Sequence, residues 1–204
     1  MAPMRTQGGD TELAQRLNEI VRAAPSLMRV LTTVRCLNLP DWLVMSGAVN
    51  QPVLNHLTGR APDYGIRDYD VGYFDASDIS YEAEDVVIRR VAAAFEEPLK
   101  STVEVRNQAR VHLWFEAHFG EAYTPLSSID EALERFVSPM FALGVRLDAD
   151  DRLHIEAPFG LADLFALRLR PNPLRPGRGF DRVAAGILRR WPEILVEADE
   201  PGQR

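Results

Sequence analysis

The sequence predicts an α/β (α+β) fold, with strands interleaved with helices and helical additions at both ends. Three observations carry this. Trp42 to Met45 is a short apolar run that halts at Ser46-Gly47, and Val49, Val53 and Leu57 then recur at helical spacing before the β-prone Val71, Tyr73 and Phe74. Val103 and Val105 alternate with Thr102, Glu104 and Arg106, which is the period of a strand. Apolar residues at helical spacing dominate the first forty positions and return near the end.

The elements follow in order. Asp10 or Thr11 can cap a first helix whose Leu13, Leu17, Ile20 and Val21 share a face, and Pro25 ends it. Ser26 opens a second helix with Leu27, Val30, Leu31, Val34 and Leu37 on one stripe, closed by Pro40. The pair is expected to pack beside the sheet. After the strand at Trp42, Asn50 reads as an N-cap, Pro52 falls in a first turn and Gly59 stops the helix. Asp78 or Ser80 can cap a long helix that ends near Glu97, with Ile88, Val91, Ala92 and Phe95 as its stripe. Glu82, Glu84 and Asp85 crowd its first turn, where negative charge suits the helix dipole.

Pro98 breaks that helix, and Ser101 to Arg106 form the next strand. Asn107 to His118 continue as a helix or bent strand. Ser128 and Glu131 make a capping box for a helix from Ile129 to about Phe136. Phe141 to Leu147 and Leu153 to Glu156 read as a hairpin over the polar turn Asp148 to Asp151. A helix from Leu161 to Leu169 follows, with Asp163 in its first turn as a cap charge or a contact to the site. Arg170 to Pro173 and Pro176 to Gly179 make a stiff link to a last helix, Asp181 to Arg190, which stops at Trp191-Pro192. The tail after Glu197 reads as disordered. The expected division is a helical pair over 1–40, a core over 41–173, and a helix and tail over 174–204.

Composition bounds what such a chain can do. At 204 residues, with 46% hydrophobic and 26% charged residues, it is long enough for a full core and has the balance of a globular protein. No apolar run approaches the roughly 18 residues of a membrane span, and the N-terminus has no apolar leader, so the cytoplasm is expected and no membrane partner is. The single cysteine, Cys36, suits a reducing compartment and reads as a small buried hydrophobe. A net charge of −7 and the absence of a long basic run argue against duplex DNA. Arg106 and Arg110, and Arg168 and Arg170, are clusters sized for a nucleoside triphosphate, ordinary solvated surface being the alternative. P-loop and dinucleotide-binding glycine patterns are absent. No nucleophile with a paired base stands out.

The chemistry centres on two features. A strand that feeds a helix through a glycine brings backbone N–H groups toward a phosphate, which marks Gly47 and Ala48. Asp68 and Asp70 flank one residue at the mouth of a strand, so both carboxylates face one side and need a cation between them. Hard ions such as Mg²⁺ (or Mn²⁺) take oxygen ligands of this kind. Glu104, an acid between valines, stands either at an exposed edge or beside a cation. Arg110 is a candidate phosphate ligand because guanidinium forks onto phosphate oxygens. His112 and Glu116 stand four apart, a weak metal signal against the plain reading of a packed imidazole.

Gly47-Ala48, Asp68-Tyr69-Asp70 and an acid on a later strand resemble the nucleotidyltransferase superfamily that shares the DNA polymerase beta palm. The resemblance is closest to a bacterial branch labelled only as nucleotidyltransferase family proteins. It is carried by GAVNQPVLNHLTGR, IRDYDVGYFD, VEVRNQARVHLWFE followed by FG, and APFGLADLFALRLRPNP, in that order. Where the superfamily's turn is usually Gly-Gly or Gly-Ser, this chain has Gly47-Ala48.

The resemblance implies a polymerase-beta-like palm, a mixed central sheet flanked by helices. It also implies two Mg²⁺ ions on Asp68 and Asp70, with Glu104 as the third carboxylate, and Gly47 and Ala48 on the terminal phosphates of an NTP. A nucleoside monophosphate would pass to an acceptor, with Glu104 or an oxygen on the metal taking the acceptor's proton and pyrophosphate leaving. The acceptor stays open: a small molecule, a protein side chain or an RNA end. The alternative is a nucleotide- or partner-binding module with the same fold and little turnover.

Overall fold

Sheet order places the site. The computed structural model describes residues 8–175 and 179–197. Strands β1 (Leu43–Met45), β2 (Tyr69–Tyr73), β3 (Val103–Asn107), β4 (Gly144–Leu147) and β5 (Leu153–Glu156) form a mixed sheet in the order β3-β2-β1-β4-β5. Only β2 and β3 run parallel; the other neighbours are antiparallel. Helices α1 (Gly8–Arg22), α2 (Pro25–Cys36), α3 (Gly47–Leu57), α4 (Tyr81–Ala93), α5 (Phe115–Phe119), α6 (Ile129–Glu134), α7 (Ala162–Phe165) and α8 (Phe180–Leu188) surround it. A two-stranded parallel pair, β6 (Arg168–Leu169) and β7 (Leu195–Val196), lies apart from the sheet.

Period-two alternation sorts the strands' side chains. Val44, Tyr69, Val71, Tyr73, Val105 and Val145 face a large core shared with α1, α2 and the buried stripes of the later helices. Leu43 and Met45 face the other way, against Ile129 and Leu133 of α6. Asp70 and Gly72 share that second face with Glu104 and Arg106, because paired residues of parallel strands point to the same side. Leu17 and Val21 of α1 and Leu27, Val30, Leu31 and Val34 of α2 are all fully buried in the large core.

Several local expectations hold. Ser80 caps α4, its hydroxyl accepting from the Ala83 N–H at 3.2 Å, and the helix stops at Ala93, short of Glu97. Ser128 caps α6, while Glu131 reaches back to the N–H of Ser127 at 2.8 Å. Asp148 accepts from the N–H groups of Asp150 and Arg152, which closes the β4–β5 turn.

Others are corrected. Helix α3 begins at Gly47 rather than at Asn50, because Ser46 turns the chain at φ 54 and its carbonyl receives the N–H groups of Val49 and Asn50. Asn50 is fully buried inside the helix, and its side-chain amide has no hydrogen-bond partner among the described residues. The long helix expected to Leu169 ends at Phe165: Leu167 takes φ 52, and β6 pairs with β7 through Leu195 N–H to Leu167 O and Glu197 N–H to Leu169 O, each 2.8 Å. Asn107–His118 resolves into a 3-10 helix, Gln108–Leu113, followed by α5. Cys36 ends α2 off its buried stripe and is exposed. The link at 176–178 and the tail from 198 lie outside the described residues.

Candidate functional site

Three neighbouring strands bring the site together at one end of the sheet. Met45, the last residue of β1, is the Cα partner of Asp70 in β2, and Asp70 is the partner of Glu104 in β3. The turn at Ser46-Gly47 follows Met45 directly, so the Gly47 turn, Asp70 and Glu104 stand in that order across β1, β2 and β3, about 4.8 Å per strand. Asp68 precedes β2 and is exposed.

Asp70 is the perturbed member. Burial, then the charge of Asp68, then that of Glu104 push its carboxyl from 3.8 to about 6, and Arg106 offsets part of this. Asp70 thus feels both other acids. Yet among the described residues no three His, Cys, Asp or Glu side chains stand close enough together to hold a metal ion. Two features keep the set open: Asp68 lies outside the strand, and Glu104, 57% exposed, leans toward Arg106 at 3.7 Å. The expected three-ligand arrangement is not closed. An open set of carboxylate oxygens around a half-buried, repelled Asp70 still fits a hard cation that fills its shell with waters and phosphate oxygens.

Two cavities adjoin here, and Asp70 lines the first. The first, about 360 Å³, holds Asp70, Glu104 and Arg106 on one side and Trp114, Phe115 and Tyr123 on the other. The second, about 370 Å³, lies over Ser46 and Gly47 at the start of α3, with Gln51, Arg175 and Arg190. Phe136 and Arg175 border both.

At the second cavity, the N–H groups of Gly47 and Ala48 begin α3 and have no acceptor within the helix. Ala48 itself is fully buried and is not among the residues that line the cavity. It is Ser46, not Gly47, that adopts the left-handed conformation in which glycine is at ease. A Cβ at Gly47 would stand 2.7 Å from the Gln51 side-chain nitrogen, so Gln51 would have to swing aside. Gln51 Oε1 has no partner among the described residues and lines this cavity. Arg190 donates to the carbonyl of Gly65 at 2.7 Å and stacks on Trp191 at 4.7 Å.

The structure removes the other basic candidates from the site. Arg110 is 12% exposed and pairs with Glu84, which is 3% exposed, and it lines neither cavity. It also donates to the carbonyl of Ile79 at 3.2 Å. Arg110 is therefore an ion-pair partner inside the fold rather than a cavity residue. Arg168 and Arg170 both hold the buried Asp163, at 2.6 and 2.7 Å. Asp163 stands in the first turn of α7, the expected cap-region position, and its carboxylate is held there by both arginines. His112 has a buried, unpartnered Nδ1 among the described residues and makes no metal group with Glu116.

Gln51, Arg175, Arg190 and the aromatic residues were not singled out from sequence. Only the crowding of Trp114, Phe115, Phe119 and Tyr123 into one short stretch offered a signal.

No curated protein matches the chain. Among solved structures, a protein whose NMR structure reveals a CCA-adding enzyme head domain superposes with a TM-score of 0.71 at 24% identity, covering 90% of this chain and 95% of that one. A CCA-adding enzyme in complex with CTP superposes at 0.50 and 18% identity, covering 91% of this chain and 43% of that one. The fold is thus the polymerase-beta-like palm that the resemblance implied. Residues 32–196 match the family model described as nucleotidyltransferase, a span that takes in the Gly47 turn, all three acids and both cavities, and the chain belongs to the nucleotidyltransferase family.

Proposed function

We propose that this chain transfers a nucleoside monophosphate from an NTP to an acceptor hydroxyl and releases pyrophosphate. One observation carries the reading: the Gly47 turn, Asp70 and Glu104 follow one another across three adjacent strands. In-line phosphoryl chemistry needs a leaving-group site, a reacting centre and an attacking-group site in that succession.

Each residue has a task under this reading. The N–H groups of Gly47 and Ala48 receive the terminal phosphates at the positive end of α3, and Arg190 and the unpartnered Gln51 border the same space. Asp68 and Asp70 are the ligands for Mg²⁺ or Mn²⁺, with Glu104 beside them. A bound cation supplies charge neutralisation at the attacked phosphorus and lowers the pKa of the acceptor hydroxyl. Glu104, exposed to the first cavity, takes the acceptor's proton. That a CCA-adding enzyme of the same fold is found with CTP supports an NTP as donor.

The test is release of labelled pyrophosphate from each NTP with Mg²⁺ or Mn²⁺, in the presence of cell extract as the acceptor source. Glu104→Gln is expected to lower the rate by about 10²-fold or more while binding of a non-hydrolysable NTP analogue persists. A rate unchanged by that substitution would remove Glu104 from the chemistry.

A further inference from the structure

Facing Asp70 and Glu104 across the first cavity is a wall of aromatic rings that neither the acids nor the phosphate turn requires. Phe115 packs on Tyr123 with ring centroids 4.5 Å apart and on Phe119 at 4.7 Å, and Trp114 joins Phe115 at 6.1 Å. Guanidinium groups back the wall, Arg175 over Phe115 at 5.7 Å and Arg135 over Tyr123 at 5.9 Å. Arg175 is itself fixed, donating to Glu121 at 2.6 Å and to the carbonyl of Arg135 at 2.7 Å. The rings are braced from behind, yet Phe119 remains 50% exposed.

The side on which this wall stands is informative. With pyrophosphate leaving toward Gly47 at the end of β1, in-line attack brings the acceptor oxygen from the β3 side of Asp70, where Glu104 stands and lines one cavity with the aromatic rings. We infer that the acceptor is a small hydroxy compound carrying a planar aromatic ring, stacked on Phe115, Phe119 and Tyr123 with its hydroxyl turned to Glu104. This rests on the proposed nucleotidyl transfer and names its acceptor class.

The step balances. The acceptor oxygen forms a bond to the α-phosphorus, its proton passes to Glu104, and the bond from the α-phosphorus to the α–β bridging oxygen breaks. Pyrophosphate leaves with that electron pair.

Size and charge favour a small molecule over an RNA end. A cavity of about 360 Å³ suits a compact ligand. An RNA end would also bring phosphates that need a basic track, whereas Arg106 leans on Glu104, Arg175 is paired with Glu121, and the chain carries a net charge of −7.

Isothermal titration in the presence of a non-hydrolysable NTP analogue tests the inference, with 2-phenylethanol and tryptophol set against 2-cyclohexylethanol and a CCA-ended oligoribonucleotide. The aromatic alcohols are expected to bind at least about tenfold more tightly than the saturated one, and α-labelled NTP should label them. Phe119→Ala and Phe119→Leu, each checked by melting curve, should both weaken the aromatic alcohols by roughly tenfold, since leucine restores bulk without planarity. Equal binding of saturated and aromatic alcohols, preference for the oligoribonucleotide, or full affinity in both variants would overturn it. Failure of the analogue itself to bind wild type would overturn the proposed function as well. Analogue binding without any aromatic alcohol binding would overturn this inference alone.

Discussion

Asp70 and Glu104 are direct Cα partners in the parallel pairing of β2 and β3, so their carboxylates leave the same sheet face one strand apart. The Asp70 carboxyl is held at about 6, first because burial strips it of water and then because Asp68 and Glu104 repel its charge. A carboxyl whose pKa rises on folding binds its proton more tightly in the native chain. Its effect is therefore a loss of stability as pH rises from 3.8 to about 6, complete above that range.

Asp70→Asn is accordingly expected to stabilise the metal-free protein at pH 8, by on the order of 1–3 kcal/mol. The gain should shrink toward zero near pH 4, where the carboxyl is protonated in the folded state. Denaturant melts in chelator at pH 4, 6 and 8 measure this. A gain that stays constant with pH would show that Asp70 carries no such penalty.

Mg²⁺ or Mn²⁺ together with an NTP analogue should raise the melting temperature of the wild type, since a ligand that binds only the folded chain stabilises it by mass action. In Asp70→Asn this rise should be lost. An undiminished rise would remove Asp70 from the cation site.

Glu84 is buried and pairs with Arg110, so removing Arg110 leaves its charge with only the Asn107 N–H at 2.8 Å among the described residues. Arg110→Ala should cost about 3–5 kcal/mol of stability and leave NTP-analogue affinity unchanged. Replacing both residues by leucine should recover much of the loss. Weakened analogue binding in folded Arg110→Ala would return this arginine to the site.

Gly47→Val places a branched side chain against Gln51, whose amide nitrogen already lies 2.7 Å from where a Cβ would stand. Analogue affinity is expected to fall by tenfold or more, about 1.4 kcal/mol, with metal binding by the acids retained. Full-strength analogue binding would sink the phosphate turn.

How far the sequence could be read depended on the range of the interaction concerned. Period-two valines around Glu104 and the β-prone stretch after Asp70 located β3 and β2, because strand alternation is a local property, whereas Asp68, expected to share that alternation, lies just before β2. Asn50 looked like a cap because its residue type favours one, but the cap position is set by the φ of Ser46, which its own sequence does not announce. Leu164 to Leu169 carry a helical pattern, and pairing with Leu195 and Val196 overrides it from far along the chain. The arginines were misread for want of their partners, whether 26 residues away, as for Arg110, or five and seven, as for Arg168 and Arg170. A basic residue reads as an anion grip until its acid is seen, and Glu84 and Asp163 become partners of Arg110, Arg168 and Arg170 only in the folded chain.

The stretch after α8 has a consequence for anyone who would trim or fuse this protein. Trp191 is fully buried and donates its indole N–H to Asn55 of α3 at 2.9 Å, while the adjacent Arg190 borders the cavity over Gly47. One short segment is thus keystone and tool at once. A nick or deletion between α8 and Trp191 would remove a core aromatic, a tether on α3 and a cavity arginine together. Damage to the core and damage to the cavity over Gly47 would then arrive in a single step, so a junction between Leu188 and Trp191 is a poor choice.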